Sequence, residues 1–205
     1  MSTIITSIDP GSPAMRAGLQ PGQQLLSING HAVVDVLDYR FYGYDPVSHL
    51  SLKNKDGSTQ KLTIHKAEGE DLGLNFDSYL MDEMRSCANH CIFCFVDQMP
   101  PGMRQTLYFK DDDARLSFLQ GNYITLTNLT EREAQRIIDL RISPINVSVH
   151  TTDPQLHCTM LGNKNAVRSL DYIRAFCKAG IVMNGQIVVC PGWNDGDQLR
   201  RTLRD

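Results

Sequence analysis

The chain has 205 residues, of which 41% are hydrophobic, and its formal net charge is −3. This length can build one large domain or two small ones with packed cores. The net negative charge and the absence of a basic stripe argue against general nucleic-acid binding through phosphate contacts. No membrane span and no secretory signal are visible, so we expect a cytoplasmic protein with reduced cysteines that does not act at a membrane.

Residues 1–67 show the pattern of a small, mostly antiparallel β domain. Short β-type segments alternate with turn residues, and Asn29-Gly30 is a strong hairpin dipeptide. Helices are predicted from Pro13, with Ser12 as its N-cap, and from about Asp35 to Tyr44. The predicted strands cover residues 4–8, 25–28, 49–53 and 60–65.

A stretch of this first domain resembles the core of bacterial PDZ domains. It comprises Asp9-Pro10-Gly11-Ser12-Pro13-Ala14, Ala17-Gly18-Leu19, Pro21-Gly22 and Leu25-Leu26-Ser27-Ile28-Asn29-Gly30. The resemblance implies that the domain takes a peptide ligand as an added strand. The alternative is that the domain packs on its neighbour as a scaffold or orienting lid, because the motif lies so near residue 1 that we expect the usual carboxylate-binding strand and loop to be missing or supplied from elsewhere.

A charged segment separates this domain from a region of different composition. Residues 68–80 are expected to form a linker, and residues 81–205 alternate β-type runs with amphipathic helical runs. This alternation is typical of an α/β fold with a parallel sheet. Strands are predicted at 122–127, 145–150 and 181–190, and helices at 130–141, 165–177 and 195–205.

The most informative feature is a cluster of three cysteines. Cys87, Cys91 and Cys94 form a C-x3-C-x2-C pattern, and these soft ligands favour an iron–sulfur cluster or zinc over hard cations. A cubic cluster held by three thiolates leaves one iron open, whereas a zinc ion would need a fourth ligand such as His90. A third possibility is that the cysteines are buried as small hydrophobic residues. The scattered Cys158, Cys177 and Cys190 are interpreted as core residues.

The cysteine spacing, with Phe93 before the third cysteine, resembles the signature of radical S-adenosylmethionine (SAM) enzymes. This resemblance implies that Cys87, Cys91 and Cys94 hold a [4Fe–4S] cluster whose open iron binds SAM. Reductive cleavage of SAM would then give a 5′-deoxyadenosyl radical that acts on an unknown substrate. It further implies an electron donor such as a ferredoxin or flavodoxin.

The whole arrangement is similar to a bacterial family with an N-terminal PDZ-like domain, a radical SAM core and a C-terminal domain of unknown function. The residues that carry this likeness, besides the PDZ-like motif, are Cys91 to Gln98, Lys110 to Asp113 and Gly121 to Asn128. The likeness implies a partial (β/α) barrel of radical SAM type over residues 81–205. We expect the chain to stop before that core is complete.

Candidate cofactor-binding residues follow from the rule that ligands gather at the carboxyl ends of parallel strands. Together with Phe93, the residues predicted to contact SAM are Thr125, Thr127, Asn128, Ser148, His150, Pro191 and Asn194. His150 could equally be a core histidine. The acidic run Asp111 to Asp113 is expected to be the solvated start of a helix.

Two other functions remain open from the sequence. One is a PDZ-type peptide-binding adaptor whose second half is a metal-stabilised scaffold. The other is an iron–sulfur electron carrier, which would need no SAM pocket.

Overall fold

The computed structural model of the protein describes residues 3–205. The chain divides into two compact units, one ending at Met84 and the other covering Arg85–Asp205. Within the described range, no helix combines the length and the apolar character that crossing a membrane requires.

The first unit is built on antiparallel pairing. A four-stranded sheet has the order β3-β2-β4-β5, and β1 pairs separately with β6. The elements are β1 (Ser7–Ile8), α1 (Pro13–Arg16), β2 (Gln24–Ile28), β3 (His31–Ala32), α2 (Val36–Tyr42), β4 (Val47–Lys53), β5 (Thr59–His65) and β6 (Leu74–Asn75).

Local sequence signals explain the turns and caps of this unit. Asn29 and Gly30 have φ angles of 51° and 84°, the left-handed conformations that a tight two-residue hairpin between β2 and β3 requires. The Ser12 side chain accepts a hydrogen bond from the Met15 N–H at the start of α1. The Asp35 carboxylate does the same for Leu37 in α2. The predicted turn and the predicted Ser12 cap are confirmed, and the helix predicted from about Asp35 to Tyr44 is present as α2.

Residues 68–80, for which the sequence predicts a linker, contribute to the first unit. They contain β6, whose Leu74 and Asn75 pair with β1. Leu72, Leu74 and Leu80 are buried. The Leu80 carbonyl also accepts a hydrogen bond from the Val36 N–H at the start of α2.

The second unit is an α/β fold around a small parallel sheet. Strands β7, β8 and β9 lie side by side in that order and run parallel. Among the described residues these strands do not close into a barrel. The elements are a 3₁₀ turn (Gln105–Tyr108), α3 (Ala114–Gln120), β7 (Tyr123–Ile124), α4 (Glu131–Asp139), β8 (Ile145–Ser148), α5 (Pro154–Leu161), α6 (Val167–Lys178), β9 (Met183–Gln186) and α7 (Gly196–Arg204).

Helix boundaries in this unit follow local capping signals. Thr130 and Glu133 form the predicted capping box at the start of α4. Helix α5 is absent from the sequence prediction, and it begins with Asp153 as N-cap and Pro154 in the first turn. On α6, Cys177 is exposed, since the buried face runs through Ser169, Tyr172 and Phe176 instead. The interpretation of Cys177 as a core residue is therefore wrong.

Candidate functional site

The three clustered cysteines open onto one cavity in the second unit. This cavity has a volume of about 720 Å³. Four other residues proposed as cofactor contacts also line it. They are Phe93, Thr125, Ser148 and His150.

The loop that carries the cysteines is fixed by its backbone to the C-terminal end of α5. The His90 and Ile92 N–H groups each donate to a carbonyl of α5, that of Leu161 and that of Met160, with N–O distances of 2.9 Å. Gly162 follows, with φ of 59°, and a Cβ atom there would lie 2.5 Å from the His90 carbonyl oxygen. A glycine at this position therefore allows the loop to approach the helix end.

The thiols lie close enough together to affect one another's ionisation. Burial raises the pKa of Cys91 to about 12, and the nearby Cys87 and Cys94 thiols contribute. The pKa of Cys87 is also raised, by burial and by the carboxylate of Asp112. Lys110 opposes both shifts. Converting these thiols to thiolates at one partly buried place would need a cation to offset their charge.

Lys110 is the cation that the chain itself supplies beside the cysteines. Its Nζ donates to Asp97 Oδ2 at 2.6 Å, and the Cys87 N–H donates to the Lys110 carbonyl at 2.7 Å. The bond to Asp97 raises the pKa of Lys110, which therefore stays protonated at neutral pH. Lys110 thus ties the cysteine loop to the segment before α3.

Asp112 is buried behind the same loop. Its carboxylate accepts hydrogen bonds from the Thr125 N–H and Oγ1, each at 2.6 Å, and it also interacts with the Cys87 thiol. Burial raises the pKa of Asp112 to about 6. The Thr125 hydroxyl is therefore already bonded within the protein.

The prediction that Asp111 to Asp113 form a solvated helix start is wrong for two of the three residues. Asp113 does cap α3, by accepting from the Arg115 N–H, but Asp112 and Asp113 are only 2% and 1% exposed. The Asp113 carboxylate also binds the guanidinium of the buried Arg115 at 2.7 Å. These partners outweigh the effect of burial and lower the pKa of Asp113.

His150 is both buried and part of the cavity wall. Its Nδ1 accepts a hydrogen bond from the Val188 N–H at 3.2 Å, which places the ring proton on Nε2. Burial and the neighbouring His157 lower the pKa of His150 to about 4, so the ring is neutral at pH 7. The Phe93 ring packs edge-on against it, with 4.5 Å between ring centroids.

The other residues predicted to contact SAM do not line the cavity. Asn194 is fully buried and donates to the carbonyls of His150 and Val188. Asn128 donates to the Ser86 and Asp112 carbonyls, and Thr127 Oγ1 donates to Asn89 Oδ1. Pro191 is exposed. The structure thus gives Thr127, Asn128 and Asn194 partners inside the protein.

Comparison with known families agrees with both halves of the sequence. Residues 66–205 match the Radical SAM-like domain family. The chain belongs to this family. Residues 4–53 match the PDZ domain family, so the expected order of a PDZ-like unit and a radical SAM-like unit is confirmed. No curated protein matches the chain.

Membership of the radical SAM-like family implies a [4Fe–4S] cluster and SAM, and the donor set can be compared with them. Three soft thiols around one cavity have the chemistry of an iron–sulfur ligand set. In the described chain, no three His, Cys, Asp or Glu side chains converge closely enough to hold a metal ion. A cube binds each thiolate through a different iron, so its ligands do not need to converge on one point.

Sequence reasoning missed Asn89, although its position inside the cysteine motif was an available signal. Lys110 and Asp112 belong to the run that carries the family likeness, but their contacts with the cysteine loop were not predicted. Nothing local distinguishes them from other surface charges, because their partners are distant in sequence.

Proposed function

We propose that this protein is a radical SAM enzyme with an unknown substrate. In this proposal Cys87, Cys91 and Cys94 hold a [4Fe–4S] cluster, and SAM occupies the cavity beside it. The supporting observation is that one cavity is lined by the three cysteines and by polar residues at the ends of β7 and β8. An iron–sulfur electron carrier would have no use for the second feature.

The bound cofactors would supply an electron and a 5′-deoxyadenosyl radical, and the chain would bind and orient them. The neutral His150 ring offers an Nε2–H donor, and the Ser148 hydroxyl, which is 3.5 Å from Gln186 Oε1, offers a second polar group. Phe93 packs against His150 and helps to keep water from the cavity wall. Asn194 positions His150 by donating a side-chain hydrogen bond to the His150 carbonyl.

The same proposal covers the barrel, the cellular compartment and the electron donor. The parallel sheet β7-β8-β9 would be part of a (β/α) barrel, as the family resemblance implies. Six free cysteines favour a reducing compartment such as the cytoplasm. A ferredoxin or flavodoxin would supply the electron.

The test is anaerobic reconstitution with iron and sulfide. The wild-type chain should acquire iron, acid-labile sulfide and a broad visible absorbance, should bind SAM in calorimetry, and after reduction should release 5′-deoxyadenosine. Cys91→Ala should lose the iron, whereas Cys177→Ala, at an exposed cysteine of α6, should keep it. Stoichiometric zinc without iron would overturn the proposal. Iron without SAM binding would favour the electron carrier.

Peptide binding by the first unit is a second candidate function. The PDZ match over residues 4–53 supports it. An extended peptide would be expected to add as a strand and to bind through main-chain hydrogen bonds. Binding that persists in Cys91→Ala would assign it to the first unit, and absence of binding across a library of extended peptides would leave the unit as a scaffold.

A further inference from the structure

The residue at the centre of the first cysteine spacing, Asn89, is almost completely buried, at 1% exposure. Its side-chain Nδ2 donates to Thr125 Oγ1 at 3.0 Å. Its Oδ1 accepts from Thr127 Oγ1 at 3.0 Å and from Asn163 Nδ2 at 2.7 Å. The side-chain amide therefore has partners on both its donor and its acceptor side.

These partners come from parts of the chain that are distant in sequence. Thr125 and Thr127 follow β7, and Asn163 lies between α5 and α6. A single side chain thus links the cysteine loop to the end of a central strand and to a helix connection. The Asn89 carbonyl adds a further link, because it accepts from Lys110 Nζ at 3.3 Å.

Only an asparagine provides this combination of groups at this length. Aspartate would retain the acceptor oxygens but lose the donor to Thr125, and alanine would lose both. Glutamine is one methylene longer in a site with no space for it. Replacing Asn89 with alanine would remove one hydrogen bond each from Thr125, Thr127 and Asn163.

Asn89 also lies near a cysteine. Its backbone N–H and its side chain oppose the rise in the pKa of the Cys87 thiol. On the other side, the next residue, His90, donates its N–H to the Leu161 carbonyl. The side-chain network of Asn89 and the backbone contacts with α5 therefore hold the loop from two directions.

We propose that Asn89 is a positioning residue that fixes the cysteine loop so that its three thiols face one cavity before any cofactor arrives. The role of Asn89 rests on the proposed function only for the identity of the cofactor that the thiols would bind. The fixed loop itself is a property of the metal-free chain. A pre-formed loop would lower the entropy cost of gathering three ligands around a cluster.

The first experiment uses the full chain without metal, under reducing and oxygen-free conditions. Asn89→Ala should accelerate amide hydrogen exchange at His90 and Ile92 by about 10- to 100-fold, the effect of losing about 1.4–2.8 kcal/mol of local stability. Asn146→Ala is the matched control. That residue also donates and accepts through its side chain, to the Gly121 carbonyl and from Asn184, but away from the cysteines.

A second variant guards against a general folding defect. Thr127→Val removes only the hydroxyl that donates to Asn89, and it should accelerate exchange at the same two amides by about tenfold. If both Asn89→Ala and Thr127→Val leave these amides as protected as Asn146→Ala does, the positioning role is overturned.

A second measurement separates this inference from the proposed function. After reconstitution and one-electron reduction, Asn89→Ala should hold less iron than Asn146→Ala and give a broader electron paramagnetic resonance signal, as expected for a less ordered ligand loop. If the wild-type chain takes up iron, equal iron content and equal spectra in the two variants would overturn the inference. If the wild-type chain takes up no iron, but Asn89→Ala still accelerates amide exchange at His90 and Ile92, the proposed function is overturned and the positioning role is supported.

Discussion

The two units of the chain use buried polar side chains differently. In the first unit these groups mostly complete local structure, as Asp35 does in capping α2 and Asp38 in accepting from the Val34 N–H. In the second unit many of them gather beside one loop and one cavity, where Asn89, Asp112 and His150 bond across long stretches of sequence. Gathering buried polar side chains in one place costs desolvation free energy, and a stable fold does not need it. Such clusters are typical of functional sites.

The largest effect should come from the buried ion pair of the second unit. Asp113→Asn would remove one charge from the buried ion pair with Arg115 and should lower the free energy of unfolding by about 3–5 kcal/mol. Urea unfolding followed by the fluorescence of Trp193, the single tryptophan, would measure it. The control is Asp197→Asn in an exposed pair with Arg200, which should change stability by less than about 1 kcal/mol. Similar values for the two variants would contradict the comparison.

A smaller loss should follow from adding a methyl group where the cysteine loop meets α5. Gly162→Ala combines a left-handed backbone with a Cβ atom placed 2.5 Å from the His90 carbonyl. We expect about 2–4 kcal/mol of destabilisation. Gly180→Ala, at φ of 76° with open space around the Cβ position, should cost only about 1–2 kcal/mol. If the two losses measured by urea unfolding are equal, the loop and the helix end are not in close contact.

A pH effect of about 2 kcal/mol should belong to His150. Its pKa lies near 4 in the folded protein and near 6.5 in the unfolded chain, so the unfolded state binds the proton first as the pH falls. Stability from the neutral ring is complete above about pH 6.5 and is lost as the pH falls toward 4. His150→Gln should therefore reduce the stability difference between pH 7 and pH 5 by about 2 kcal/mol. The exposed His65→Gln is the control, and an equal reduction there would refute the assignment.

The smallest effect concerns the first unit. The buried Tyr39 hydroxyl donates to Asp71 Oδ1 at 2.7 Å and accepts from the Leu74 N–H, and burial raises its pKa. Tyr39→Phe should cost about 1 kcal/mol, and amide exchange at Leu74 should accelerate about fivefold. Tyr44→Phe, at an exposed tyrosine of the same unit, should leave Leu74 unchanged. A loss in Tyr39→Phe as large as that in Asp113→Asn would remove the difference between the units.

Sequence reasoning succeeded where the determining contacts are local. The Asn29-Gly30 hairpin and the Thr130–Glu133 capping box depend on residues within four positions of each other, and both are present. It failed where contacts between residues distant in sequence determine the local structure. The strand predicted over residues 122–127 ends at Ile124, because Asp112 binds the Thr125 N–H and Leu126 adopts a φ of 60°.

The predictions for the candidate site succeeded and failed for the same reasons. The three cysteines share one short segment, so their spacing was visible without a fold. Asn194 was correctly placed near the strand ends, but its burial under the His150 carbonyl depends on a contact 44 residues away. The contacts of the Asn89 side chain could not be predicted for the same reason, since its side-chain partners lie 36 to 74 residues further along the chain.

The raised pKa of Cys91 has a consequence for the folded chain without a bound cofactor. A cysteine with a pKa of about 12 is almost entirely in its uncharged form at neutral pH, and only the thiolate reacts readily with peroxide or alkylating agents. The folded chain would therefore resist oxidative damage at Cys91. Alkylating agents should therefore modify Cys91 more slowly than the exposed Cys177.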